Sequence, residues 1–236
     1  MDREARAFYD DYWSRCDRPR AEARSRERAA LALELLAEDG RARGRLLDVG
    51  CGPGWSLDAF TRAGWGGIGV DPSNVAVEEA RARGLDARRI DVELASAEEM
   101  RAALGGPFDA IALLEVLEHL RDPLASLRKV KELCRTGGRL VVSLPNEIHL
   151  AARLRILSGK LPMGGHDSPH LRHFDRTLAR RLFEEAELRV IATRDVSLVP
   201  PRRPILRAAS SPGLFLFPGL FSIATVYLLG ESHGKD

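Results

Sequence analysis

Short apolar segments alternate with segments of helical periodicity along this chain, and this alternation constrains the fold more than any other feature. Segments 45–49 and 66–71 are each followed by a helical pattern, and the run "FDAIALLE" (108–115) is almost entirely apolar. Such a continuous run is typical of a strand that is buried on both faces. Strands that alternate with helices need crossover connections, which build a parallel sheet with helices on both faces. The sequence therefore predicts a doubly wound α/β fold.

Further elements follow from the same patterns. Asp122-Pro123 and Asp175 are typical of the residues that begin a helix. We predict further strands at 86–93, 136–145, 188–199 and 222–230, and helices at 25–38, 74–84, 123–135 and after Asp175. We also predict an N-terminal helical cap segment over 1–44, a main domain over 45–236, and an insertion at about 146–174.

Composition indicates one ordinary globular domain. The chain has 236 residues, of which 44% are hydrophobic and 30% charged, which fits one large domain. Its net charge of +2 gives no general attraction to nucleic acid or to anionic membranes. All but four of the 36 basic residues are arginine, which we interpret as a habit of the coding genome.

Cysteine usage and the chain start predict a cytoplasmic protein. Cys16, Cys51 and Cys134 are scattered without CxxC spacing, which argues against disulfides and a cysteine zinc site. The N-terminus is charged from its second residue, unlike a secretory signal. The apolar stretch 214–230 is marginal in length for a membrane span and is broken by Pro218-Gly219. We expect a buried strand preceded by an apolar turn there, and no membrane span.

The segment "DVGCGPG" predicts a ligand-binding loop. Gly50, Gly52 and Gly54 follow Asp48 at alternate positions, and glycines let backbone amides approach a ligand beside a helix N-terminus. A tight strand–helix turn alone needs about one glycine. The dinucleotide fingerprint GxGxxG places its third glycine where this chain has Trp55, so the spacing disfavours a nicotinamide dinucleotide.

Two further acids stand at predicted strand ends. Asp71 ends the second strand, where a carboxylate can accept both ribose hydroxyls, and Asp91 ends the third, where it can reach an exocyclic amine. Each acid alone is also an ordinary turn former. Together with the glycine loop, they outline a nucleoside site at the crevice where the strand order reverses.

Several segments together resemble the ordered motifs of class I S-adenosylmethionine-dependent methyltransferases. These are "LLDVGCGPGWSLDAF", "GVDPS", "FDAIALLEVLEHLRDP" and "GGRLVVSLPN", between about 45 and 145. The segment "HLRHFDRTLARRLFEEAEL" is similar to the one after strand five in the UbiG-like small-molecule branch. The resemblance implies a Rossmann-like, seven-stranded, mostly parallel sheet of order 3-2-1-4-5-7-6 with strand 7 antiparallel.

The resemblance also implies a cofactor, S-adenosyl-L-methionine, and the residues that hold it. Gly50, Gly52 and Gly54 are then expected on its methionyl part, Asp71 on its ribose and Asp91 on its adenine. Asp48 is expected to support the loop. Cys51 and Glu115 complete the predicted cofactor-binding set.

The run "LEVLEHLRDP" sets Glu115, Glu118 and His119 among apolar residues. If the chain turns helically after the fourth strand, these three fall on one side, where His170 or His173 can complete the shell of a divalent cation such as Mg²⁺. The arrangement resembles the metal-binding set of small-RNA 2′-O-methyltransferases and of UbiG-type catechol methyltransferases. The alternative is that no metal binds and His119 caps a turn or acts as a base.

Methyl transfer requires alignment of the acceptor and removal of its proton, which a neutral histidine can perform. We therefore predict His119, His170 and His173 as catalytic residues, with structural bonding to loop backbone as the alternative. The insertion is expected to cover the acceptor. The aromatic motif "FYDDYW" (8–13) is expected either to close over the cofactor and acceptor or only to anchor a helix.

The sequence thus predicts O-methylation of a small natural-product or quinone-like acceptor. Two alternatives stay open. One is a metal-dependent RNA 2′-O-methyltransferase, which the weak net charge and the lack of a basic and aromatic run disfavour. The other is a non-catalytic protein that binds S-adenosylmethionine. The oligomeric state is left unpredicted.

Overall fold

A seven-stranded sheet forms the centre of the computed structural model, which describes residues 3–161, 170–199 and 203–232. The strands cross the sheet in the order β3-β2-β1-β4-β5-β7-β6; β1 to β5 are parallel, and β7 is antiparallel to both of its neighbours. This confirms the predicted fold class and strand order. The strands are β1 (Arg45–Val49), β2 (Gly66–Asp71), β3 (Ala87–Arg89), β4 (Phe108–Leu114), β5 (Cys134–Pro145), β6 (Leu188–Ser197) and β7 (Ser222–Glu231).

Helices connect these strands and cover both faces of the sheet. The Asp122 carboxylate accepts the N–H of Ala125 at 2.9 Å, and that of Asp175 accepts the N–H of Leu178 at 2.8 Å. Both predicted caps are confirmed. The helices are α1 (Arg3–Arg15), α2 (Arg18–Glu38), α3 (Trp55–Arg62), α4 (Asn74–Ala82), α5 (Ala97–Leu104), α6 (Pro123–Lys131), α7 (Leu150–Leu157), α8 (Arg176–Glu185), α9 (Pro204–Leu216) and α10 (Pro218–Phe221).

Strand β4 is covered on both faces of the sheet, which is why its sequence does not alternate between apolar and polar residues. Ile111 and Leu113 point into a core on one face of the sheet, while Ala110 and Ala112 point into a second core on the other face. Successive side chains of a strand alternate between faces, so a strand covered on both sides is apolar at every position. The second core includes residues of α2, which therefore packs on the sheet.

Several elements differ from the sequence-based expectation. Strand β3 is shorter than the predicted 86–93, and α5 and α7 form where no helix was predicted. Within 214–230 the strand is confirmed as β7, but the chain before it is helical, in α9 and α10, and not a turn. No helix in the described ranges combines the length and apolarity needed to cross a bilayer.

The predicted insertion is described only in part. Its first half contains α7, and residues 162–169, including His166, lie outside the described residues. The boundaries proposed at 44/45 and around the insertion stay predictions. The carboxyl ends of β1, β2, β4 and β5 meet at one edge of the sheet, and the loops at this edge carry most of the predicted site residues.

Candidate cofactor and acceptor site

A cavity of about 680 Å³ lies at the carboxyl ends of the parallel strands, where β1 and β4 separate the two halves of the sheet. Its lining comes from the loops after these strands and from α1 and α2. Small-molecule sites in open α/β sheets lie at this position, and their volumes run from about 300 to 1,000 Å³. The cavity therefore has the place and size of a ligand site.

The glycine loop forms one wall of the cavity. Gly50 and Cys51 line it, and Gly50 has a φ of +69°. A Cβ on Gly50 would lie 2.6 Å from Val116 Cγ2, so no larger residue fits there without a shift. The predicted Gly52 and Gly54 do not line the cavity. Gly52 lies under the Trp13 ring, and Gly54 caps α3 against Leu85.

Asp48 supports this loop from below. Its Oδ2 accepts the Ser56 hydroxyl at 2.6 Å, which links the end of β1 to α3, and it does not line the cavity. The side chain is buried, and burial raises the pKa of Asp48 to about 7, although the hydrogen bond from Ser56 opposes this. Removing a carboxylate from water disfavours its charged form.

Asp71 lies at the cavity wall with both carboxylate oxygens engaged by backbone donors. Oδ1 accepts the N–H of Ser73 at 2.9 Å, and Oδ2 accepts the N–H of Gly52 at 3.0 Å. Burial raises the pKa of Asp71 to about 6 against these two bonds. Each oxygen retains a lone pair for a ligand hydroxyl.

Two further acids extend this wall. Asp91 lies two residues beyond the end of β3 and lines the cavity, and its Oδ1 accepts the N–H of Glu93 at 2.9 Å. Glu93 also lines the cavity, and its Oε1 accepts the N–H groups of Arg121 and Asp122 at 2.7 and 3.1 Å. Glu93 was not predicted, because a glutamate four residues beyond a short strand has no distinctive pattern.

Helix α1 covers the cavity with the aromatic motif. Tyr9, Tyr12 and Trp13 line it, and Trp13 meets Trp55 edge-on at 5.8 Å between ring centres. Asp10 anchors the helix by accepting the Ser73 hydroxyl at 2.6 Å. Burial, followed by the charges of nearby acids beginning with Asp71, raises the pKa of Tyr9. The motif thus both anchors α1 and closes over the cavity.

Helix α2 contributes basic side chains to the cavity wall. Arg20, Arg24 and Arg28 recur every fourth residue and line the cavity. Arg28 Nε and Trp55 Nε1 are buried N–H donors, and neither has a hydrogen-bond partner among the described residues. Unpaired buried donors are costly, so each favours a ligand that brings an acceptor. These arginines were not predicted, because arginine is abundant along the whole chain and the three positions carry no distinguishing motif.

Glu115 is separated from the other predicted metal ligands. The chain does not turn helically after β4: Glu115 has a φ of +59°, and a 3₁₀ turn begins only at Leu117. The Glu115 carboxylate instead pairs with Arg28 at 3.0 Å and accepts the Ser143 hydroxyl at 2.9 Å. The expected grouping of Glu115 with Glu118 and His119 is therefore wrong.

Glu118, His119 and His170 come together. Each offers one ligand atom, and these atoms lie within 4.8 Å of one another. The Glu118 carboxylate is fully buried, and neither of its oxygens has a hydrogen-bond partner in the described part of the chain. Burial, and then the charge of Glu115, raises the pKa of Glu118 well above its usual range. The His119 and His170 rings meet edge-on at 4.9 Å, and both line the cavity.

Glu147 holds His170 in place. His170 Nδ1 lies 2.8 Å from Glu147 Oε1, and His173 Nδ1 binds the other carboxylate oxygen. Glu147 and His170 line the cavity, whereas the predicted His173 is 70% exposed and does not. Burial raises the pKa of Glu147, but the hydrogen bonds from the two histidines outweigh it and lower that pKa overall. Glu147 was missed, since a single glutamate in a loop carries no spacing signal.

Comparison with known proteins identifies the family model that fits the chain. A model described as "Methyltransferase domain" matches residues 20–193, roughly three quarters of the sequence. Ubiquinone biosynthesis O-methyltransferases are similar: that of Xanthomonas oryzae pv. oryzae is 34% identical over 131 residues, 53% of this chain and 55% of the relative. That of Xylella fastidiosa is 36% identical over 128 residues, 52% of each chain. The chain thus spans about half the length of the curated relatives it matches.

Solved structures agree with the fold. Magnesium protoporphyrin IX methyltransferase from Synechocystis PCC 6803, with bound SAH, superposes with a TM-score of 0.67 at 18% identity, over 98% of this chain and all of that one. A putative methyltransferase from Haloferax volcanii, solved with the Trm112 activator, gives 0.65 at 17% identity over 95% and 98% of the two chains. Together with the family match, these findings confirm the resemblance drawn from the motifs.

Proposed function

Because the chain belongs to the methyltransferase-domain family, we propose that it transfers a methyl group from S-adenosyl-L-methionine to a hydroxyl of a small acceptor. The single observation that carries this proposal is the shared cavity: Gly50, Asp71 and Asp91 line one part of it, and His119 and His170 line another. A site for a nucleoside and a pair of potential bases therefore open into the same space.

The wall residues fit the cofactor group by group. Asp71 has lone pairs left for the ribose hydroxyls, and we assign Asp91, which lines the same cavity, to the adenine amine. The buried N–H groups of Arg28 and Trp55 suit a carboxylate, and Glu115 beside Arg28 suits an ammonium group. These are the two charged groups at the amino-acid end of the cofactor. When bound, S-adenosylmethionine supplies a methyl group already activated by its sulfonium.

The protein's own contribution is to align the acceptor and to take its proton. In the tautomer that donates Nδ1–H to Glu147, the His170 ring carries its lone pair on Nε2. With no metal bound, we assign His119 and His170 as the groups that accept the hydroxyl proton, and Glu147 as the residue that orients His170; a cation bound to both histidines would take their lone pairs and replace this role. His173 binds the same carboxylate from outside the cavity, so the proposal gives it no contact with the acceptor.

A divalent cation such as Mg²⁺ fits the group formed by Glu118, His119 and His170. The supporting observation is the fully buried Glu118 carboxylate, which has no hydrogen-bond partner in the described residues. A buried carboxylate is stabilised by a neighbouring cation. A metal ion there would lower the pKa of an acceptor hydroxyl. Glu115, whose carboxylate is held by Arg28, is left out of this ligand set.

The curated relatives bear the name of ubiquinone biosynthesis O-methyltransferases. On this basis we propose a phenolic, quinone-like acceptor, as the sequence analysis expected. The apolar lining residues Val116, Leu120 and Ile223 lie in the same cavity as the histidines and suit an aromatic ring.

Transfer of a labelled methyl group from S-adenosylmethionine to catechol and simple phenols tests the proposal. Wild-type protein is expected to label a phenolic oxygen, and His119→Ala to lose transfer while keeping its affinity for S-adenosylhomocysteine. His173→Ala is the matched control, expected to retain most of the activity. Full activity of His119→Ala would refute its role, and no affinity for either nucleoside would refute the whole proposal.

The metal is tested separately by chelation and add-back. If Glu118, His119 and His170 hold a functional cation, EDTA abolishes transfer and Mg²⁺ or another divalent ion restores it. Glu118→Gln, which keeps the size of the side chain but removes its charge, is expected to weaken metal binding measured by calorimetry. Activity that is indifferent to EDTA would rule the cation out and leave the histidines as bases.

A further inference from the structure

The connection between β6 and β7 carries large apolar side chains that remain exposed. Ile205 and Phe215 of α9 are 87% and 86% exposed, and three neighbours are more than half exposed. Soluble proteins rarely expose such groups together unless they bind something. We call this set the α9 apolar surface: Ile205, Leu206, Phe215, Leu216 and Phe217.

The helices that carry this surface are fixed at a defined place. Gly213 of α9 packs against the ring of Phe221, where an added Cβ would lie 3.1 Å from the ring atoms. The Asn146 amide donates to the carbonyl oxygens of Gly219 at 3.0 Å and Ser222 at 2.8 Å. Since Asn146 also lines the cavity, α9 and α10 are attached to the edge of the sheet that carries the candidate site.

The charged residues of the segment that carries this surface have one sign. Residues 196–230 contain neither aspartate nor glutamate, and their charged residues are Arg202, Arg203 and Arg207. Arg207 pairs with Glu27 of α2, whereas Arg203 is exposed at the start of α9. The apolar surface therefore lies in a cationic segment, which complements an anionic partner.

The dimensions of α9 decide what kind of partner fits. With 13 residues it is about 20 Å long, and a helix that crosses a bilayer needs about 20 residues. Exposed phenylalanine, leucine and isoleucine beside arginine are typical of helices that lie in the membrane interface. A contact between two copies would instead bring two cationic segments together. We propose that the α9 apolar surface docks on an anionic lipid bilayer.

In this arrangement Phe215, Leu216 and Phe217 enter the boundary between headgroups and acyl chains, and Arg203 meets the headgroup phosphates. The docking needs no bound cofactor and no turnover. It therefore stands independently of the proposed methyl transfer.

Co-sedimentation with vesicles tests the docking. The full chain is expected to pellet with vesicles of phosphatidylglycerol in an excess of phosphatidylcholine, and more weakly with phosphatidylcholine alone. The partition coefficient of the double variant Phe215→Ser/Phe217→Ser is expected to fall at least about ten-fold, because two aromatic side chains no longer enter the membrane. Leu178→Ser, at an exposed apolar residue on α8, is the matched control and binds like the wild type.

The charge contribution has its own pair of variants. Arg203→Glu is expected to remove the preference for phosphatidylglycerol, while Arg181→Glu, on α8, leaves it in place. Equal thermal unfolding and equal affinity for S-adenosylhomocysteine show that each variant is folded. Ile205→Ser tests the other end of the surface if the double variant does not fold.

Two results would overturn the docking. One is wild-type protein that stays in the supernatant with both kinds of vesicle. The other is a folded double variant that pellets as the wild type does. If light scattering shows a dimer that the double variant converts to a monomer, while neither protein pellets with vesicles, the surface is a contact between two copies.

Discussion

Replacing Asp48 with asparagine changes the pH dependence of stability, because this carboxyl is buried beneath the glycine loop. Burial raises the pKa of Asp48 from its ordinary 3.8 to about 7. Between these pH values the folded protein holds a proton that the unfolded chain has released. The contribution of Asp48 to the free energy of unfolding is therefore greatest below about pH 4, and it falls as the pH rises towards 7.

The size of the effect follows from the shift. About three pKa units at about 1.4 kcal/mol each correspond to about 4 kcal/mol lost by the wild type between about pH 4 and pH 8. Asparagine has the same volume, its amide oxygen can still accept the Ser56 hydroxyl, and it does not titrate. We therefore expect Asp48→Asn to gain about this much relative to the wild type over the same range.

Urea unfolding of both proteins across that pH range measures the effect. Asp86→Asn, which removes a carboxylate from an exposed site, controls for the general change in net charge. The difference in free energy of unfolding between Asp48→Asn and the wild type should grow as the pH rises. A difference that stays constant across the range would refute the buried, protonated carboxyl.

Three further predictions concern the loop, the positioning residue and the core. Gly50→Ala lowers the free energy of unfolding by roughly 1–2 kcal/mol, because residue 50 has a left-handed backbone. Adding Val116→Ala removes the contact at 2.6 Å but restores only part of the thermal stability, since the backbone strain remains. Glu147→Ala lowers kcat at least about ten-fold, with KM and the affinity for S-adenosylhomocysteine little changed. The kcat of Glu147→Gln lies between those of Glu147→Ala and the wild type, because the amide oxygen still accepts the His170 N–H. Phe60→Ala empties a fully buried site and costs about 3–5 kcal/mol in urea unfolding.

Much of the fold could be predicted because its signals are local. The apolar run of β4, the glycine loop and the caps at Asp122 and Asp175 each depend on a few adjacent residues. The strand order came from the family resemblance, since pattern alone does not fix which strands are neighbours. Helix α9 was missed because it contains Pro212, and a proline inside a helical pattern is normally read as the end of a helix.

The site was harder to predict, because its geometry depends on contacts between distant residues. Glu115 was grouped with Glu118 by spacing, but Arg28, 87 residues away, holds its carboxylate. Glu147 meets His170 across 23 residues, and no motif joins them. Such pairs form only when the sheet brings separate loops to one edge.

Calorimetric titration of the protein with S-adenosylhomocysteine tests the central claim most directly. The claim is that the cavity beside Gly50 and Asp71 binds the methyl donor and its product. Wild-type protein should bind with one site per chain, and Asp71→Ala should bind at least about ten-fold more weakly, as loss of a hydrogen-bonding carboxylate implies. Absence of binding by the wild type, or equal affinity in Asp71→Ala, would contradict the account.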